Sequence, residues 1–306
     1  MTINRAPVIL FVYNRLDKTK QTLCALNENV GVEETDLIIF ADGAKKIDER
    51  EKVIEVRNYI ENEFVVMSRF HRVKLIKSDL NKGLANSIIE GVTEVIKQYG
   101  EAIVVEDDLV TSKDFINYMN SALEYYRDIP TIGSISGYTA PIKYLKRYKR
   151  DVFITRKGEC WGWATWKDRW LEVDWEVSDF VEYYKDMMKR REFNSIGGGL
   201  DNMLCLQMEG KLDSWAVRWC YHLFCNKLLT VYPRVSKTYN IGMDGSGTHC
   251  TATNRYDIQL SNTIKTCNFE LLSVNRKIEQ EIARFELNEK TLAELALDKL
   301  KRVLKL

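Results

Sequence analysis

The stretch "EAIVVEDDLV" (101–110) decides the fold. Ala102 to Val105 are consecutive apolar residues, the pattern of a strand covered on both faces, and the strand ends in Glu106, Asp107 and Asp108. Like charges this close raise one another's pKa unless something positive sits among them. A solvated acidic turn is the plainer reading of three acids taken alone. The buried strand before them, and acids at the ends of other strands, weigh against it.

Outward from this stretch, "PVILFVY" (7–13) and "DLIIFAD" (36–42) read as further buried strands and "RVKLIKSD" (72–79) as another strand. Helical patterns separate them at about 18–27, 49–64, 83–100 (closed by Gly100 as C-cap) and 114–128. This alternation predicts an α/β fold, a doubly wound, mostly parallel, Rossmann-like sheet with helices on both faces. Ligands of such sheets bind beyond the carboxyl ends of the strands. Asn14, Arg15, Asp42, Asp79 and the acidic triplet all fall at those ends and should share one crevice.

The chain of 306 residues is 45% apolar and 29% charged, enough for a sizeable core, and its formal net charge of +1 gives no global field that selects nucleic acid. The apolar run at the N-terminus is too short for a signal-peptide core or a membrane span. The seven cysteines show no C-x-x-C pair and no zinc spacing, which suits reduced thiols, so a cytoplasmic protein is expected. From about 256 to 306 the sequence turns polar and reads as an appended helical tail. Its last helix, "ELALDKLKRVLKL", fits helix packing or self-association, with peripheral contact to an anionic membrane as the alternative.

Several side chains carry possible chemistry. Strand-end carboxylates suit a hard divalent cation, Mn2+ or Mg2+, whose shell a diphosphate would complete. Asp42 can accept from a base or ribose, or simply close an Asp-Gly turn. Arg15 suits a phosphate, or else a surface ion pair. Lys82 and Asn86 stand at the start of a helix, which favours an anion, although a plain turn and N-cap would read the same way. "GECWGWATW" mixes glycine, aromatics and one acid, so Trp161 and Trp163, with Glu159, offer flat faces to a sugar ring; some of these tryptophans must be core. "NIGMDGSGTHC" (240–250) is a glycine-rich loop but no P-loop, and His249 at its end would suit a phosphate or the metal. Asp213, between Leu212 and "SWAVRW", is expected to be partly desolvated and to act as a base, with Asp201 as the alternative. Asp201 also reads as a helix N-cap, Asp213 less so.

"PVILFVYNR", "IIFADG", "NKGLANS" and "VVEDDLVTSKDFINYM" together resemble the nucleotide-sugar-binding half of GT-A glycosyltransferases, of family 2 and, more closely, of the N-acetylglucosaminyltransferase I type. "GECWGWATW", "LDSWAVRW" and "YPRVSKTYNIG" resemble its later segments in order, so the likeness spans roughly 6–250. It implies a GT-A domain over 1–255, with a nucleotide-sugar half (1–140) and an acceptor half (141–255), followed by the tail at 256–306. It further implies Asp108 as metal ligand, Glu106 and Asp107 against ribose and transferred sugar, Asp42 on the base, Arg15 on the diphosphate and Asp213 as base. The family's base commonly lies immediately before the tryptophan, where this chain has Ser214. The implied activity is metal-dependent, inverting transfer of a sugar, from a UDP-sugar such as UDP-N-acetylglucosamine, to a glycan or lipid-linked saccharide in surface polysaccharide synthesis. A sugar nucleotidyltransferase, and a non-catalytic sugar-binding protein on the same fold, are the alternatives. The first usually needs a glycine-rich basic loop after the first strand, and "FVYNRLDKTKQ" has no glycine.

Overall fold

The computed structural model describes residues 5–245, 253 and 255–287. Strands β1 (Val8–Val12), β2 (Asp36–Ala41), β3 (Arg72–Lys77), β4 (Glu101–Glu106), β6 (Ile132–Ser136), β7 (Val152–Thr155), β8 (Trp163–Trp166) and β9 (Leu229–Pro233) form one mixed sheet in the order β3-β2-β1-β4-β8-β6-β9-β7. The first four are parallel. Of these, β1, β2 and β4 are apolar runs covered on both faces, whereas β3, at the edge of the sheet, alternates with charged residues and is partly exposed. β8 enters antiparallel between β4 and β6, β9 is again parallel to β6, and β7 closes the edge antiparallel. A separate ribbon pairs β5 (Leu109–Thr111) with β10 (Thr238–Asn240). The α/β, mostly parallel reading holds for this sheet, and the antiparallel insertion of "WATW" had no local signal.

Alternation along β1 explains the two-sided cover. Val8, Leu10 and Val12 face the helices Leu16–Asn27 and Phe115–Tyr126, while Ile9 and Phe11 face the helix Leu84–Tyr99. That last helix ends as expected at Gly100, whose φ of 85° and N–H bond to the Ile96 carbonyl (2.9 Å) make it a left-handed cap. The helix predicted over 49–64 runs as Arg50–Tyr59 and continues through a π-turn at Ile60–Phe64.

The tryptophans fill the second face. Trp163 is 1% exposed and stacks on Trp215 at 5.0 Å, with Trp170 and Trp219 around it. This corrects the reading of Trp163 as a sugar platform: on β8, beside β4, its ring points into the sheet–helix core and no face is left for a ligand.

The tail also differs from expectation. Residues 257–275 carry no regular secondary structure, and Cys267, Phe269, Leu272 and Val274 pack against the core as a strap. Asp151 holds the strap through Lys265 Nζ (2.6 Å) and the Asn268 amide (3.2 Å). Only Arg276–Glu286 forms a helix there, capped by Asn275, and residues 288–306 lie outside the described residues. Among the described residues no helix is long and apolar enough to cross a membrane.

Trp163→Ala is expected to lower folding stability by about 3–5 kcal/mol in urea unfolding. An unchanged midpoint would mean that the ring is not core.

Candidate functional site

The strand order reverses at β1, whose neighbours are β2 on one side and β4 on the other, so the crevice of this sheet opens between the carboxyl ends of β1 and β4. Each of these strands contributes charge. Arg15 follows β1 and caps the Leu16–Asn27 helix, and its guanidinium bridges Asp107 Oδ1 and Asp108 Oδ2, the latter at 3.0 Å. Asp107 is 4% exposed, and the Thr22 hydroxyl donates to its carbonyl at 2.8 Å. The positive charge that the triplet asks for is therefore supplied, for two of the acids, by Arg15. The guanidinium is engaged with carboxylates, not aimed freely outward as a diphosphate donor.

The bridge leaves groups over. Asp107 Oδ2 is buried with no hydrogen-bond partner, and the carboxyl of Glu106, the last residue of β4, makes no side-chain hydrogen bond among the described residues. Burial, reinforced by Asp108 and Asp107, pushes the Glu106 carboxyl up to about 8 against the opposing pull of Arg15. Burial also pushes Asp107 up to about 6, with Arg15 opposing and Asp108 adding. For Arg15, burial pulls the pKa down, but Asp107 and Asp108 outweigh it and keep the guanidinium charged.

The β5–β10 ribbon folds a second loop over this cluster. Ile241 N–H donates to the Asp108 carbonyl (2.8 Å), and Lys18 Nζ donates to the Ile241 carbonyl (2.9 Å) and to Asp244 (2.6 Å). Gly242 is required there, because a Cβ on it would land on Asp108 Oδ2. Lys18, Asn240 and Gly242 were missed by the sequence reading. The glycine-rich loop was a signal for the last two, but only the β5–β10 pairing brings it to Asp108. His249 lies outside the described residues.

Asp42, at the end of β2, is an organiser of a loop. Its carboxylate accepts from the amides of Gly43 (2.9 Å), Lys82 (2.9 Å) and Gly83 (3.1 Å) and from Asn81 Nδ2 (3.1 Å). It still borders a cavity of about 240 Å³ with Phe40, Ile76, Lys82 and Gly91. Lys82 Nζ is drawn to Glu90 (2.6 Å), and Asn86 Nδ2 bonds back to the Lys82 carbonyl (3.1 Å), so both are committed along the Leu84–Tyr99 helix.

The two candidate bases separate clearly. Asp213 is exposed, so the expected desolvation is absent; the buried face of its neighbour Trp215 points into the core instead. It stands over the Asp42 loop: a Cβ on Gly83 (φ 76°) would come within 3.3 Å of its Oδ2. Ser214, not Asp213, caps the Trp215–Cys225 helix. Asp201 lies in the first turn of Leu200–Met208, whose N-cap is Gly199, which corrects its reading as the cap. Arg190 holds it at 2.9 and 3.0 Å and Tyr183 donates at 2.7 Å; burial raises its pKa, yet these partners hold it below the usual range. A carboxylate so engaged is a poor proton acceptor.

Trp161 is half-buried, its ring between Tyr138 (4.6 Å) and Tyr256 (5.2 Å). Glu159 is paired with Lys157 at 3.6 Å and accepts from the Cys160 amide. Burial raises the Cys160 thiol, with Glu159 and Glu106 adding.

Among the described residues no three histidine, cysteine or acidic side chains converge as a preformed metal site. What the chain offers is the unpartnered Asp107 Oδ2 and the half-buried Asp108, hard oxygen donors that fit a divalent cation whose remaining ligands come from a bound anion. A groove bounded by Asn14, Arg15, Lys18, Lys20 and Lys52 adjoins them.

No protein-family model and no curated protein matches the sequence. Among solved structures, the mannosyltransferase PcManGT from Pyrobaculum calidifontis, in complex with GDP-Man and Mn2+, is similar at TM-score 0.37 and 13% identity over 55% of this chain and 46% of its own. S. aureus TarS 1–349 is similar at TM-score 0.45 and 11% identity over 77% of this chain and 60% of its own. A second S. aureus TarS structure aligns at TM-score 0.33 and 11% identity over 45% of this chain. The chain spans only 22% of that longer chain, and less than two thirds of each.

In chelator, stability should fall as pH rises. Glu106 binds its proton more tightly folded than unfolded, so its contribution is complete below the ordinary carboxylate range and is lost as pH climbs through about 8. Urea unfolding at about pH 5 and about pH 8 should show this loss, and Glu106→Gln should reduce it. An equal slope in the variant would contradict the assignment.

Proposed function

We propose that the protein is a nucleotide-sugar-dependent glycosyltransferase. The observation that carries this reading is the Arg15–Asp107–Asp108 bridge at the reversal point of the sheet, with Asp107 Oδ2 left unpartnered. Acids gathered at a strand end around a single guanidinium suit a ligand that brings both cation and phosphate. A divalent cation, Mn2+ or Mg2+, held by Asp108 and Asp107 would stabilise negative charge on the departing nucleoside diphosphate.

The chain's own groups take the remaining roles. The cavity beside Asp42 receives the base, and Glu106 hydrogen-bonds a hydroxyl of the ribose or the transferred sugar. Trp161 and Glu159 approach the acceptor. Asp213, exposed at the rim, takes the proton of the acceptor hydroxyl as its oxygen attacks the anomeric carbon and the bond from that carbon to the diphosphate breaks. One base opposite one leaving group gives inversion. UDP as the nucleotide, N-acetylglucosamine as the sugar and a lipid-linked or glycan acceptor are the finer expectations of the same reading, and a cytoplasmic setting accompanies them.

A thermal-shift screen of nucleotide sugars with and without manganese tests this. One of them should stabilise the protein by about 2.7 kcal/mol at a hundredfold excess over its Kd, only with metal, and be slowly hydrolysed to free diphosphate. Asp108→Asn should lose both effects. Equal metal-dependent binding in that variant, or consumption of the nucleotide sugar only with pyrophosphate, would overturn the proposal.

A further inference from the structure

We propose that residues 143–150 form a docking surface for an anionic lipid bilayer, on the same edge of the sheet as the acidic crevice. The stretch "KYLKRYKR" carries five cations and no acid in a chain whose net charge is +1. Its apolar members anchor it: Leu145 is 8% exposed and, with Ile142, joins a core cluster containing Phe153, Tyr232 and Ile278. A 3-10 turn at Lys143–Lys146, continued by bonds from Arg147 N to the Tyr144 carbonyl (3.0 Å) and Tyr148 N to the Leu145 carbonyl (3.2 Å), fixes the backbone. The cations therefore stand outward on a rigid support, and little backbone entropy is lost when they meet a partner.

Much of this charge is uncompensated. Arg150 pairs with Glu270, but Lys146, Arg147 and Lys149 are exposed and make no side-chain hydrogen bond or ion pair among the described residues. Lys277, over the Tyr144 ring at 4.5 Å, widens the patch.

Topology places the patch. β6 runs parallel to β4, since β8 is antiparallel to both, so the chain leaves β6 on the edge where β4 delivers Glu106. It re-enters the sheet at Val152, opposite Pro233 at the far end of β9. Residues 137–151 thus lie along the crevice edge.

An array of fixed surface cations fits a plane of phosphates. Single-stranded nucleic acid would also want aromatic faces, but Tyr144 is covered by Lys277 and Tyr148 packs edge-on against Phe153 (89°). No large apolar side chain in this segment is exposed, so contact is by adsorption and not by insertion. Where the glycosyltransferase reading also holds, adsorption here presents the crevice to an acceptor carried by the membrane. The docking itself does not depend on that reading.

The test is co-sedimentation of the full chain with vesicles of phosphatidylglycerol and phosphatidylcholine, against phosphatidylcholine alone. Binding should require the anionic lipid and disappear at high salt. The triple variant Lys146→Ala, Arg147→Ala, Lys149→Ala should lower partitioning about a hundredfold, while Lys74→Ala, Lys97→Ala, Lys113→Ala leaves it near wild type. Nucleotide-sugar binding, measured in solution, should be the same in the first triple variant, so a failure of the functional reading shows separately. Vesicle binding unchanged by that variant, no binding to either vesicle, or loss of duplex-DNA binding in place of vesicle binding would overturn the proposal.

Discussion

The bridge from Arg15 to Asp107 and Asp108 is the constraint on which the rest of this molecule depends. It joins the end of β1 to the end of β4 where the strand order reverses within the parallel half of the sheet. A buried carboxylate without a partner is expensive, and an ion pair in such a place is worth keeping only when its geometry is good and both ends are satisfied. Here one end is not: Asp107 retains an unpartnered oxygen and the Glu106 carboxyl has no hydrogen bond among the described residues. Purely structural ion pairs elsewhere in the chain look different. Asp201 is met by Arg190 through both oxygens and by Tyr183 as well, and Arg156 grips Glu279 through its amide and its guanidinium. The contrast separates a pair that holds helices together from a cluster left incomplete by the protein itself.

Rigid surroundings keep the cluster in that state. Two apolar layers clamp the parallel strands, and the tryptophans of the second half complete one of them. The β5–β10 ribbon then delivers the Ile241–Gly242 backbone onto Asp108, and Lys18 ties that loop to the helix that Arg15 caps. Acids, guanidinium and lid-like backbone are thus mutually supported. The strap of residues 257–275 and the helix behind it brace the β7 edge of the sheet, through Asp151, Arg156 and Lys157.

Local chemistry was legible where it was strictly local. Apolar runs four to seven residues long, each closed by a polar residue, identify β1, β2 and β4, because a strand covered on both sides has no polar face to show. Gly100 was readable as a cap for the same reason: only a residue free to adopt positive φ ends a helix that way. That Arg15, Asp42 and the triplet stand on one edge of the sheet also followed, since strand direction alone puts them there. Whether a given side chain on that edge is free or spent did not follow. Asp42 is consumed by its neighbour Gly43 and by three donors from the loop at 81–83, and Lys82 by Glu90.

The sequence by itself determined the alternation of strands and helices, the crevice edge and the acids that line it, because these follow from hydrophobic pattern and chain direction over short spans. Only the tertiary structure decided that Trp163 is core and Trp161 is not, that Asp201 is an ion-pair partner and Asp213 stands exposed by Gly83, and that the cation among the acids is Arg15. Each of those outcomes depends on which distant element packs against the residue, through the antiparallel entry of β8 and the pairing of β5 with β10, and no short-range pattern encodes such long-range register.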